Sequence, residues 1–153
     1  MLRKRCIILK ISTKGRYALR MMLDLAENKE KGFISLKEIA DRQKISKQYL
    51  EQIVAILNAS NILRSNRGKQ GGYMLAKEPS QYTVGQILRI TEGSIAPVAC
   101  LEDEVNQCER KIACKTLALW EGLYAAISDY LDSITLQALL EQSQGKNVDN
   151  YVI

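Results

Sequence analysis

Three cysteines offer the most distinctive chemistry in the sequence. Cys100, Cys108 and Cys114 follow one another with seven and then five residues between them. No CxxC pair occurs, so neither a thioredoxin-like dithiol nor a four-thiolate zinc knuckle is encoded. Histidine is absent, which removes the commonest general base and the commonest nitrogen ligand. Serine and cysteine nucleophiles usually lean on such a base, and no glycine-rich phosphate loop follows a strand. An enzyme is therefore the weaker expectation, and a thiol redox enzyme is the form of it that the cysteines still allow. Three thiols spread over a loop and the start of a helix can instead converge on one centre. Thiolate ligation of an iron–sulfur cluster, 2Fe–2S or 4Fe–4S, suits such donors. The alternative is a set of thiols that are redox-active or only structural.

The second chemistry is cationic. The chain carries 22 Lys and Arg against 17 Asp and Glu, a net charge of +5. Residues 1–78 hold 17 basic and 7 acidic side chains, whereas residues 79–153 hold 5 and 10. A basic half joined to an acidic half points to a polyanionic partner for the first half alone.

These side chains need elements to position them. Thr13 is expected to cap a first helix running to about Asn28, with Ala18, Met21, Met22 and Leu25 as its apolar stripe. Ser35 and Glu38 make a capping box for a second helix, Leu36 to about Gln43. After a tight Lys44-Ile45 turn, Ser46 caps a third, Lys47 to about Ala59. Leu50, Ile53, Val54 and Leu57 form its inner face, while Gln48, Glu51, Gln52 and Ala55 repeat that spacing on the outside. This is the pattern of a helix-turn-helix, whose second helix enters the major groove of double-stranded DNA. Two strands, 62–65 and 73–76, then flank a glycine-rich tip. Arg64, Arg67 and Lys69 put positive charge on and beside it, suited to phosphates or a narrow minor groove. A basic hairpin directly after a recognition-type helix is a wing.

Thr83 caps a fourth helix, Val84 to about Thr91, and residues 93–107 form a loop with acidic Glu102, Asp103 and Glu104. A long helix is expected from about Glu109 to Asp132. Ala113, Leu117, Trp120, Tyr124, Ile127 and Leu131 recur at heptad-like spacing, continued by Ile134, and are the expected dimerisation seam. Leu119, Leu123, Ala126 and Tyr130 make a second apolar face. Two faces need two surfaces, one in the helix's own domain and one on a second subunit of an isologous dimer. Thr135 starts a last helix to about Ser143. The fold class is mainly α with a small β-hairpin wing, a winged helix-turn-helix plus a long dimerisation helix. Its expected parts are an N-terminal extension (1–9, with Cys6), a DNA-binding domain (10–82), the cysteine loop and dimerisation helices (83–145) and a flexible tail (146–153). No apolar run is long enough to span a membrane, and the expected location is the cytoplasm.

With these pieces placed, the sequence resembles the winged-helix regulators that include the bacterial iron–sulfur cluster regulator, nitric-oxide-sensing repressor and cysteine-metabolism repressor. The resemblance rests on Ser12-Thr-Lys-Gly-Arg-Tyr-Ala-Leu19, Ser46-Lys-Gln-Tyr-Leu-Glu-Gln52, Arg67-Gly-Lys-Gln-Gly-Gly-Tyr73 and Leu117-Ala-Leu-Trp120, in the family's order. It implies a homodimer on a partly palindromic operator. It also implies that Gln48, Tyr49, Glu51 and Gln52 meet the major groove, with Ser46 at the helix start near phosphate and Arg67 on the wing; Lys47 and Lys69, beside them, are expected to bind DNA as well. Glu can accept from cytosine N4 and Gln can pair with adenine, whereas Tyr49 suits packing as well as DNA contact. Cluster-binding relatives carry three cysteines in this loop, but the position of their histidine ligand is Leu117 here. Arg16 stands where the nitric-oxide sensor uses aspartate. A fourth ligand must then come from Glu102, Asp103, Glu104, Glu109, a small thiol or a partner subunit. The resemblance to the cysteine-metabolism repressor equally implies a protein co-regulator in place of a cluster.

Overall fold

The computed structural model describes residues 10–149; the extension expected at 1–9, with Cys6, and residues 150–153 of the expected tail lie outside the described residues. Helix α1 (Thr13–Glu27) is capped by Ser12 rather than Thr13, with Ser12 Oγ accepting from the Gly15 N–H at 3.2 Å. Glu92 fixes the choice, because the Ser12 N–H and hydroxyl both donate to its Oε1, at 3.0 and 2.7 Å. Gly15 permits that approach, since a Cβ there would stand 2.2 Å from the same oxygen.

Helices α2 (Leu36–Gln43) and α3 (Lys47–Ala59) begin as expected, α2 with the complete Ser35–Glu38 capping box and α3 with Ser46 as cap. Lys44 turns the chain between them in the left-handed region at φ 55, and buried Ile45 anchors the turn. Leu50, Ile53, Val54 and Leu57 are buried, joined by Met21, Met22, Leu25 and Ile39.

The wing strands β1 (Leu63–Asn66) and β2 (Gly72–Leu75) pair antiparallel, Leu63 opposite Leu75 and Asn66 opposite Gly72. Each lies one residue nearer the tip than expected. The Ile62 carbonyl is taken instead by the Ala76 N–H at 3.2 Å and the buried Tyr82 hydroxyl at 2.9 Å. Ile34 pins the wing to the head, its N–H donating to Tyr73 O and its carbonyl accepting from Tyr73 N–H, at 2.9 and 2.8 Å. Only glycine fits beside that bridge, as a Cβ on Gly72 would lie 2.3 Å from Ile34 O.

Helix α4 (Val84–Glu92) is capped by Thr83 and packs on α1. The long helix is shorter than the sequence suggests: α5 (Leu117–Ser133) starts eight residues after Glu109. Bonds from Lys111 N–H to Cys108 O and from Ala113 N–H to Arg110 O wind a 3-10 turn, and Cys114 then extends at ψ 106, which breaks the helical register. Ala113 therefore lies outside the helix and off its seam. A final helix, α6 (Leu136–Asp149), runs past the expected stop near Ser143 and through Gly145, a residue that costs a helix only about 1 kcal/mol. Residues 146–149 of the expected tail are thus helical.

Elements beyond residue 82 share the core of the head. Ile87 of α4 and Leu136 and Leu140 of α6 complete its core. Val84 N–H donates to Ile134 O and Leu136 N–H to Tyr82 O, so the chain leaves the head along α5 and returns to it. Arg89 clamps Asp132 with two bonds of 2.6 and 2.9 Å. That pairing raises the Arg89 pKa and holds the Asp132 carboxyl below its ordinary range, in both cases chiefly through the shared hydrogen bonds. Among the described residues no helix is long and apolar enough to cross a membrane.

Candidate nucleic-acid interface

Helix α3 presents Gln48, Glu51, Gln52 and Ala55 to solvent on one face. Ser46 Oγ accepts from the Tyr49 N–H at 3.2 Å, leaving its hydroxyl proton free to donate outward. Lys47 and Glu51 form an exposed pair at 3.5 Å one turn apart, which pre-orients the carboxylate along the outer face. Of the two roles considered for Tyr49, the packing one is visible. The side chain is half-buried, packs on the core, and meets the Tyr17 ring edge-on at 5.5 Å between centroids and 77° between planes.

Arg67 and Lys69 stand exposed at the wing tip. Gly68 holds φ +114 there, a conformation that favours glycine. Gly71 closes the tip through its N–H to Gly68 O at 2.9 Å. The exposed polar face of a capped helix and a cationic hairpin tip are thus carried on one head.

Sequence spacing did not reveal the side chains that hold the helix-turn-helix itself. Asp24 is 1% exposed on α1 and accepts from Arg42 Nε and Nη2 at 3.0 and 2.6 Å and from Gln43 Nε2 at 3.0 Å. Its partners lie eighteen and nineteen residues away, so no periodicity signals them.

The cysteines occupy the segment between α4 and α5. Cys100 sits in a 3-10 turn (Ala99–Leu101), Cys114 follows another (Lys111–Ala113), and all three thiols are free and half-buried. Asn106 Oδ1 accepts from the Cys108 N–H at 2.9 Å. A hydrogen bond with the Thr116 side chain, at 3.5 Å, holds the Cys114 thiol below the usual range and favours its thiolate. The donors suit a thiolate-held cluster in kind, yet among the described residues no three Cys, Asp or Glu side chains are gathered closely enough to hold a metal ion. Glu102 Oε1 is buried in this loop with no hydrogen-bond partner among the described residues. Leu117 begins α5 and is half-buried.

Of the residues expected at the dimer seam, Tyr124, Ile127 and Leu131 pack within the chain, against Val84, Leu88 and Ile95. Leu117 and Trp120 are half-buried. The other apolar face is the one left open, with Leu119 61% and Tyr130 66% exposed and Leu123 and Ala126 beside them.

The family pattern of Rrf2, described as an iron-dependent transcriptional regulator, matches residues 11–142. The chain is 42% identical over 138 residues to the HTH-type transcriptional regulator CymR of Bacillus subtilis, covering 90% of this chain and 94% of that protein. It is 35% identical over 140 residues to the HTH-type transcriptional regulator IscR of Pectobacterium atrosepticum, covering 92% and 84%. Among solved structures, the T. potens IscR superposes with a TM-score of 0.69 at 40% identity over 88% of each chain. The global cysteine regulator CymR of B. subtilis does so with 0.72 at 41% identity, over 88% of this chain and 98% of that one.

Proposed function

The chain belongs to the Rrf2 family of transcriptional regulators, and from that premise we propose that it is a cytoplasmic homodimer reading a partly palindromic operator with α3 and the wing of each subunit. It is a DNA-binding regulator of transcription rather than an enzyme, as the relatives it matches are named. The observation that carries the reading is the pairing of α3's exposed polar face with a cationic, glycine-tipped wing pinned to the same head. In this reading Gln48, Tyr49, Glu51 and Gln52 face base edges, Ser46 and Lys47 meet phosphate at the helix start, and Arg67 and Lys69 follow the backbone into the minor groove. Residues 10–82 supply these groups and residues 83–145 supply the sensing and pairing elements.

The regulatory input lies in the cysteine loop. Cys100, Cys108 and Cys114 would hold an iron–sulfur cluster, which supplies a redox- and iron-sensitive centre when bound. Glu102, whose buried oxygen lacks a partner, is available as the non-thiolate ligand that Leu117 cannot provide. Because Cys114 lies three residues before α5, thiols held on one centre would bear on the start of that helix. Regulation requires that the signal favour one of two such arrangements. A second reading is favoured by the 42% identity to CymR and by the ungathered thiols: the same regulator, controlled by a protein partner or by thiol oxidation.

Anaerobic purification with iron and acid-labile sulfide counted per chain separates them. Under the cluster reading the wild type carries both, and Cys→Ser changes at 100, 108 and 114 remove both and alter operator affinity. A colourless wild type that cannot be reconstituted, with DNA binding unchanged in the triple variant, would leave the second reading standing.

A further inference from the structure

Arg20 bears on both ends of the turn that sets the direction of α3, directly at the end of α2 and through Tyr17 at the start of α3. On one side its guanidinium forks onto Gln43, the last residue of α2, donating from Nε to the side-chain Oε1 at 3.2 Å and from Nη2 to the main-chain carbonyl. That carbonyl is one of those a helix leaves without an internal partner at its C-terminus, where a cation is also favoured by the helix dipole. Lys44, in the left-handed region, follows immediately. On the other side the same guanidinium lies over the Tyr17 ring at 5.2 Å. Tyr17 in turn meets Tyr49, in the first turn of α3, at 5.5 Å. Gln43 closes the chain inward through its Nε2 bond to buried Asp24. A continuous path therefore runs from Asp24 through Gln43, Arg20 and Tyr17 to Tyr49.

The core holds these helices together without Arg20. Ile39, Ile45, Leu50 and Ile53 are buried beneath them, while Arg20 itself is exposed. Core packing sets the fold, but base-edge hydrogen bonds tolerate only a few tenths of an ångström, so reading needs the finer constraint. We infer that Arg20 is a positioning residue for base reading: it braces the α2–α3 turn from both sides and fixes the tilt at which α3 meets DNA. The inference rests on α3 being the reading helix.

The experiment compares two duplexes, the tightest binder that the wild type selects from a random pool and a random-sequence duplex of equal length. In Arg20→Ala, affinity for the selected duplex falls about tenfold, while affinity for the random duplex, the salt slope and the melting temperature stay at their wild-type values. Arg20→Lys fails to rescue, since an ammonium neither forks onto Gln43 nor stacks on Tyr17. Tyr17→Leu gives the same selective loss, and the double variant loses less than the sum because both sites act through one path. Equal weakening on both duplexes with a salt slope lowered by about one would make Arg20 a phosphate contact instead. Rescue by Lys, or a melting temperature that falls in parallel with affinity, also overturns the inference. If the wild type selects no duplex, the reading role of α3 fails and this inference falls with it; if only Arg20→Ala matches the wild type, the inference alone fails.

Discussion

In the proposed reading Arg67 and Glu51 represent the two halves of recognition, one cation on a hairpin tip and one carboxylate on a helix face. Arg67→Ala is expected to weaken binding across all sequences and lower the salt slope by about one, as for a lost phosphate or groove contact. Glu51→Ala should instead relax preference at one base position by about 1–3 kcal/mol, read by competition among operator variants. If Glu51→Ala weakens every sequence alike, α3 is not the base reader. At this scale legibility followed sequence distance. The Ser35–Glu38 box and the Ser46 cap were readable because each acts three residues away along the chain. Ser12 displaced Thr13 as a cap because Glu92, eighty residues distant, holds it. The clamps from Arg42 to Asp24 and from Arg20 to Gln43 join side chains that no local pattern relates. The packing role of Tyr49 was readable, and its partner Tyr17, on another helix, was not.

Helices announced themselves by periodicity and most of their ends by caps, but α5 begins later and α6 ends later than those signals indicate. Periodicity gave α5 two apolar faces but not which one the chain itself would cover, because α4 offers a matching apolar surface that either face could meet. Nor could it find the helix start, since the Cys108–Cys114 stretch has helical composition and is diverted by 3-10 bonding. What locks α5 to α4 at its far end is the Arg89–Asp132 clamp, with Gly85 beneath it: a Cβ there would lie 2.0 Å from Asp132 Oδ1. The folded-state pKa of Asp132 is depressed, so its contribution is full above the ordinary carboxylate value of 3.8 and fades as the pH falls below it through the folded value. The pair is about two-fifths exposed, which discounts the contribution to about 0.5–1 kcal/mol at low salt. Asp132→Asn should therefore lower the melting temperature by about 1–4 °C near neutral pH and by progressively less below pH 3.8, with the difference shrinking in high salt. A difference that persists unchanged into acid would assign the effect to packing around Gly85 instead of charge.

For the whole molecule, the charge division between residues 1–78 and 79–153 was readable directly and coincides with the wing and α3 on one side and the cysteine loop on the other. The open face of α5 is the surface left for the proposed homodimer. Leu123→Asp together with Tyr130→Asp is expected to shift sedimentation from dimer to monomer mass and lower operator affinity, with little loss of melting temperature because neither side chain is buried in the chain. A dimer that survives both charges would move the interface elsewhere. The same helix also has a mechanical consequence. It packs on α4 through Tyr124, Ile127 and Leu131, and its first two turns run past that contact toward Cys114, so its N-terminal end is an overhang. Pivoting where α4 holds it at Tyr124, the overhang of two turns is about 10 Å long, and a tilt of about 10° sweeps its tip through roughly 2 Å. One base step in DNA is about 3.4 Å. In the proposed dimer, a displacement of that tip too small to unpack any core is on the scale of the ruling of the proposed operator, and two heads joined along such a lever would go in and out of phase with their half-sites like a vernier against its scale.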